Sequence, residues 1–355
     1  MKQGRTLQQL LEEIVRQQET KRDFIADTRN LEFDELRLNM ADKSFPVNEI
    51  AHEQIAGHVK IPRPYYDRMR QEEPELFATN VNTWFRKYPA VRMIRTLDDG
   101  ARSFLSNSYR SLDNSDLLEA ALPPLLDRGV EVMSCDVTDR KLYLKVVDQR
   151  IKRDLPVGWS MNNRGHQHFD TVCPALVLSN SEVGCGALSV QTSVWTGGCT
   201  NLMVIQERSH RKAHLGSKLD LGDDVYKMLS DTTKKLTDAA LWAQIKDVVG
   251  LAFDRAQFDV TCDKLEAAGK DLIEGDPVKT VEVAQRHFGF NDTERGSILR
   301  HLISGGDLSR YGLLNAVTRT AEDLDNYDRA SEFEALGGKV LELPRADWRR
   351  MAEAA

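Results

Sequence analysis

Closely paired cysteines, long apolar runs and an even set of cysteines are all missing from this chain. Its five cysteines (Cys135, Cys173, Cys185, Cys199 and Cys262) are odd in number and irregularly spaced, which argues against the disulfide framework of a secreted protein. No stretch approaches the roughly 18 to 20 consecutive apolar residues that a membrane span requires. The opening MKQGRTLQQLLEEIV is charged and amphipathic and lacks an apolar signal core. A cytoplasmic protein with no membrane attachment is therefore expected. Neither G-x-G-x-x-G nor G-x-x-x-x-G-K-[ST] occurs, which disfavours a glycine-rich phosphate cradle. Internal repeats and low-complexity segments are lacking as well.

What is present is 355 residues, 41% of them hydrophobic, enough to bury the core of one large domain or two ordinary ones. The net charge of −7 conceals a division along the chain. Residues 1–83 carry 12 Lys+Arg against 15 Asp+Glu, residues 84–218 carry 18 against 14, and residues 219–355 carry 18 against 26. Electrostatic footprints are local, so the basic middle counts for more than the acidic total.

The same three segments differ in periodicity. Residues 1–83 read as an N-terminal helical segment, with Leu7, Leu10, Leu11, Ile14 and Val15 at helical spacing and Pro62 and Pro64 interrupting before YYDRMR. Residues 84–218 read as a sheet-rich core. VRMIRTL and ARSFLSNSY flank DDG as a hairpin, and a helix follows from Asp113, Asn114 or Ser115 to Gly129. VEVMSCDV, KLYLKVV, DTVCPALVLSN, GALSVQTSVW and NLMVIQE then read as strands, giving one mainly antiparallel sheet of at least six strands with the hairpin included. Residues 219–355 read as a helical C-terminal region with Asp276, Asn291 and Asp307 as caps. The expected fold class is α+β, with a central antiparallel sheet between an N-terminal helical segment and a helical C-terminal region.

The mostly uncharged stretch SNSEVGCGALSVQTSVWTGGCTN (Ser179–Asn201) raises the question of a catalytic site. Gly184 and Gly186 flank Cys185 just before a strand, and Gly197 with Gly198 follows it, as a hairpin turn requires. Ser181, Glu182, Cys199 and Asn201 then read as parts of that turn framework, with Glu182 taking backbone or arginine hydrogen bonds. A thiol nucleophile built from Cys199, His214 and Glu182 or Asn201 has the right residue types but no surrounding protease signature. A metal site from Cys173, Cys185, Cys199, His166, His168, His210 and His214 lacks the close ligand pairs that structural zinc favours. The expectation is no catalytic centre, no metal and no cofactor, with a thiol- or metal-dependent hydrolase the least favoured reading.

Nucleic-acid binding has more distributed support. Arg86, Lys87, Arg92, Arg95, Arg102 and Arg110 surround the first hairpin, interleaved with Trp84, Phe85, Tyr88, Phe104 and Tyr109. Lys145, Arg150, Lys152, Arg153 and Arg164 form a second cluster, and Arg208, Arg211 and Lys212 a third. Cations to neutralise phosphates and flat rings to stack bases (Trp84, Phe104 and Tyr109 in particular) are what single-strand binding needs.

SNSEVGCGALSV, CTNLM, RSHRKAHLG, YRSLDNSDLLEA and LLNAVTRTAEDLDNYDRASEFEALGG carry a resemblance over about residues 35 to 340. The chain resembles the phage- and plasmid-borne proteins of domain of unknown function 932. It departs from that pattern where Thr196, Gly197 and Gly198 precede Cys199 and Leu202 follows Asn201. The resemblance implies a mobile-element protein acting beside recombination, single-strand-binding and antirestriction functions. The order of strands and helices is also similar to that of phage single-strand annealing proteins, which implies a homo-oligomer that binds and anneals single-stranded DNA. The alternative is a host-directed antirestriction or antidefence protein whose acidic C-terminal region engages a host or phage recombination or defence protein.

Overall fold

The computed structural model describes residues 1–109, 112–156, 170–196, 201–204 and 231–354. In chain order the helix α1 (Leu7–Thr20) leads into β1 (Arg22–Asp27), β2 (Leu31–Asp34), β3 (Arg37–Met40) and β4 (Lys43–Pro46). The helices α2 (Glu49–Val59), α3 (Arg63–Glu72) and α4 (Pro74–Lys87) follow, then the hairpin β5 (Val91–Leu97) and β6 (Gly100–Ser106), then α5 (Asn114–Arg128). The central strands are β7 (Glu131–Val137), β8 (Leu142–Val147), β9 (Arg153–Leu155), β10 (Asp170–Asn180), β11 (Ser189–Thr196) and β12 (Asn201–Val204). The chain ends in α6 (Asp231–Leu251), α7 (Arg255–Lys270), α8 (Pro277–Phe288), α9 (Asp292–Gly305), α10 (Arg310–Thr320), α11 (Tyr327–Leu341) and α12 (Arg345–Ala352). The fold class is α+β, with antiparallel sheets between N-terminal and C-terminal helices.

Two expectations need correction. Residues 1–83 are not helical throughout: residues 22–46 form four short strands, β2, β3 and β4 making a sheet of their own. Strands of four residues such as LEFD show only one or two apolar alternations, too few to reveal a period. The hairpin β5–β6 is also not part of the central sheet, because β1 pairs antiparallel with β5 and the three form a separate sheet. The boundary expected at residue 83 falls inside α4, and the one at residue 218 lies outside the described residues. Pro62 and Pro64 sit at the start of α3, where a proline's missing N–H costs nothing.

The central sheet runs β12-β11-β10-β8-β7, with β9 pairing β10. Side chains alternate across it. Leu142, Leu144 and Val146 of β8, with Leu176 and Leu178 of β10, pack on α1, α5 and α6. The alternate residues Val147, Cys173, Ala175 and Val177 form a small apolar patch with Met1 on the other face. The C-terminal helices build their own core around Phe258, Leu265, Leu313, Val317 and Phe333, joined by Leu155, Val172 and Val194 of the sheet. A third core holds β2, β3 and β4 against α2, α3, α4 and the β5–β6 hairpin. No helix among the described residues is long and apolar enough to cross a membrane.

Candidate nucleic-acid interface

Of the nine basic side chains singled out by pattern that lie among the described residues, five are engaged by carboxylates of the protein itself. Arg95 is 1% exposed. Its Nε donates to Asp23 at 2.8 Å, Nη2 to Asp113 at 2.9 Å and Nη1 to the Glu182 carbonyl at 2.9 Å. Burial works against its charge, and the Asp23 and Asp113 carboxylates more than offset that, so its pKa is raised. Lys145 is fully buried with its Nζ 2.7 Å from Glu334 of α11. Arg102 donates to the Glu182 carboxylate at 2.5 Å, Arg150 to Asp148 at 2.9 Å, and Arg153 to Asp263 and Glu266 of α7 at 2.8 and 2.6 Å.

Arg95 and Lys145 therefore cannot reach phosphates, and Phe104, buried and stacked on Phe85 at 5.8 Å, cannot stack a base. The half-buried Tyr109 spends its hydroxyl on the Ser181 carbonyl at 2.8 Å. The basic residues also divide between neighbourhoods: Arg95 and Arg102 beside Glu182, Lys145 beneath α11, Arg153 against α7. Arg110, Arg164, Arg208, Arg211 and Lys212 lie outside the described residues, as do Gly197, Gly198, Cys199, His166, His168, His210 and His214. Asn201 begins β12.

The Ser-Glu-Val-Gly motif forms the connection from β10 to β11 and ties four elements together. Ser181 Oγ donates to the Arg140 carbonyl at 2.7 Å and accepts from the Cys185 amide at 2.9 Å. The Glu182 carboxylate accepts from Arg102 and from the Asn114 amide at 2.7 Å, with Lys21 Nζ 3.6 Å away. Gln54 of α2 donates to the Val183 carbonyl at 2.7 Å and accepts from the Phe104 amide at 2.6 Å. Gly184 has φ +76°, and a Cβ there would stand 2.6 Å from Leu105 Cδ2, so both backbone and space require glycine.

Above this connection lies a cleft of about 420 Å³, lined by Arg5, Arg16, Arg102, Arg140, Lys141 and Glu182 among others. Its arginines pair with carboxylates: Arg5 with Asp136, Arg16 with Glu13 and Asp98, Arg140 with Glu53 at 3.4 Å. Glu182 is saturated by donors and is not placed to act as a base. Cys173 is buried and Cys185 half-buried, and burial raises both thiols above the ordinary range, which disfavours the thiolate. No three His, Cys, Asp or Glu side chains among the described residues form a ligand set.

The end of α4 is different. Trp84 and Tyr88 are four residues apart, so the last helical turn brings their rings together in a parallel stack, 5.5 Å between centroids and 5° between planes. Trp84 Nε1 donates to Asn80 Oδ1 at 2.8 Å, which fixes the ring. Lys87 Nζ lies 5.2 Å from the Trp84 centroid. Tyr88 is 59% exposed, and Arg86 and Lys87 are exposed beside it. Neither Arg86 nor Lys87 has a carboxylate partner among the described residues, and the negative helix end accounts for cations there.

Comparison with family models, curated proteins and solved structures returns no match. The case for function rests on the side chains themselves.

Pattern reading missed His58 of α2. Arg92 Nη2 donates to its Nδ1 at 2.6 Å, a contact 34 residues apart that no periodicity announces. Burial, and then the Arg92 charge, depress the His58 pKa to about 4. Burial likewise depresses His52, bonded to the Tyr66 hydroxyl at 2.9 Å, to about 4. Both rings are neutral in the fold, whereas the unfolded chain takes up the protons near pH 6.5. Stability from this source is complete above about pH 6.5 and is lost as pH falls toward 4. Urea unfolding at pH 7.0, 5.5 and 4.5 should show a loss on the order of 1 kcal/mol per pH unit from buried His52. A stability unchanged over this range would contradict the neutral rings.

Proposed function

We propose that the protein binds single-stranded nucleic acid, single-stranded DNA in the first place, without sequence preference and without a catalytic centre. The observation that carries this reading is the parallel Trp84–Tyr88 stack, with Tyr88 exposed, Trp84 half-buried, and Lys87 and Arg86 beside it. Every base offers a π-face to such a platform, and adjacent cations neutralise the phosphates between stacked bases. The interface is smaller than the pattern of basic residues implies, because Arg95, Arg102, Lys145, Arg150 and Arg153 serve the fold.

The host-directed alternative has less support, since Asp259, Asp263 and Glu266, part of the acidic C-terminal excess, face Arg153 of the same chain. Fluorescence anisotropy with a labelled oligo-dT tests the proposal. Tyr88→Ala, a change at an exposed ring, should weaken binding about 5- to 150-fold, corresponding to the 1–3 kcal/mol of a stacked base. An affinity unchanged by Tyr88→Ala would remove the platform from the account.

A further inference from the structure

Arg92 stands apart from the other arginines of its hairpin. Arg95 and Arg102 each hold a carboxylate. Arg92 has none within 4.0 Å among the described residues, although it is half-buried against an aromatic wall. Its guanidinium lies 5.5 Å from the Phe104 centroid, Phe104 stacks on Phe85, and the His58 ring leans on both at 5.5 and 6.1 Å. The Nε–H of Arg92 is buried without a hydrogen-bond partner among the described residues. Its Nη2 donates to His58 Nδ1, so that ring nitrogen carries no proton, and a neutral ring adds nothing to balance the cation. A cation in such surroundings is costly unless an anion meets it. Both side chains keep a solvent-facing part, so the missing charge can arrive from outside.

We infer that Arg92 and His58 form a binding site for one phosphate group. A guanidinium is a planar fork of donors that matches the oxygens of a tetrahedral oxyanion, and the terminal N–H groups of Arg92 that His58 does not engage are left to meet one. Arg92 lies four residues beyond Tyr88, and Phe85 of α4 packs in the same aromatic wall, so the site adjoins the stacking platform. The phosphate is either a phosphodiester of a bound strand, which rests on the proposed function, or free phosphate, which does not.

Imidazole resonances of His58, followed by heteronuclear NMR at constant ionic strength and pH 7.5, separate these sources. Inorganic phosphate replacing chloride should move the His58 signals saturably while those of buried His52 stay fixed. Arg92→Gln should weaken the response at least tenfold, and Arg92→Lys, which keeps the charge but loses the fork, should fall between. Oligo-dT should move the same signals and compete with phosphate. Failure of both phosphate and oligo-dT to move His58, or an undiminished response in folded Arg92→Gln, would overturn the site. If phosphate moves His58 and oligo-dT does not bind, the site stands and the nucleic-acid reading fails. If oligo-dT binds through Tyr88 and leaves His58 unmoved while phosphate moves it, both readings stand and the site is one for free phosphate.

Discussion

Replacing Lys145 with methionine should destabilise the protein by about 3–5 kcal/mol, and adding Glu334→Leu to that variant should restore most of the loss. Lys145 and Glu334 are both fully buried, 2.7 Å apart, where β8 meets α11. Lys145 Nζ also donates to Ser331 Oγ at 3.1 Å and lies 4.5 Å from the Tyr327 ring centroid. Neither oxygen of the Glu334 carboxylate has a well-angled hydrogen bond among the described residues, so the pair depends on charge alone. Removing one member strands the other in an apolar interior, which accounts for the large single-variant cost. Removing both leaves a site that hydrocarbon can fill, and such exchanges are often neutral or stabilising. Urea unfolding of the two single variants and the double variant measures this. Two single losses that simply add would show the pair to be uncoupled. The contact belongs to a polar layer between sheet and helix, with Ser134 to Tyr327 at 2.6 Å and Tyr143 to Asp328 at 2.9 Å.

Glu182→Ala should cost a comparable 3–5 kcal/mol, for a different reason. The carboxylate joins β6 through Arg102, the first turn of α5 through the Asn114 amide, and the end of α1 through Lys21. Its loss leaves a buried amide and a largely buried guanidinium without an acceptor. Glu182→Gln keeps the shape and an acceptor oxygen, so it should cost much less, about 1–2 kcal/mol. Equal effects of the two substitutions on urea midpoints would mean that packing, rather than charge, is what Glu182 contributes. A coupling of at least about 1 kcal/mol between Glu182→Ala and Arg102→Ala is expected from their direct contact.

The history of Glu182 illustrates what was legible in the sequence. That it would hold a turn could be read from its place between a strand and a glycine, whereas its partners lie 80 and 68 residues away and had no local signature. The β5–β6 hairpin was legible because Asp98 and Asp99 take the left-handed conformation a two-residue turn demands, at φ 51° and 59°. Gly129 closes α5 at φ 73°, and Asp276 and Asn291 cap α8 and α9, all from local chemistry. Asp307 is not the cap because Ser309, two residues on, takes that place, its Oγ accepting from the Gly312 amide at 3.2 Å. Arg95 and Lys145 depart from the expected surface position for a similar reason at longer range. A pattern shows that Arg95 alternates with apolar neighbours, and only the fold shows Asp23, Asp113 and the Glu182 carbonyl converging on it. Trp84 and Tyr88 need no distant partner to meet, since they stand one helical turn apart.

The salt dependence of oligo-dT binding tests the central claim most directly. A strand held by rings and a few cations should bind at low micromolar protein in low salt. The affinity should fall linearly on a log–log plot, with a slope of about −0.7 for each phosphate neutralised. Neutralising Arg86 and Lys87 together as glutamines should flatten that slope by about 1.4 while leaving the fold intact. No binding at low salt, or binding whose slope is the same in wild type and the Arg86→Gln/Lys87→Gln variant, would contradict a single-strand interface at the end of α4.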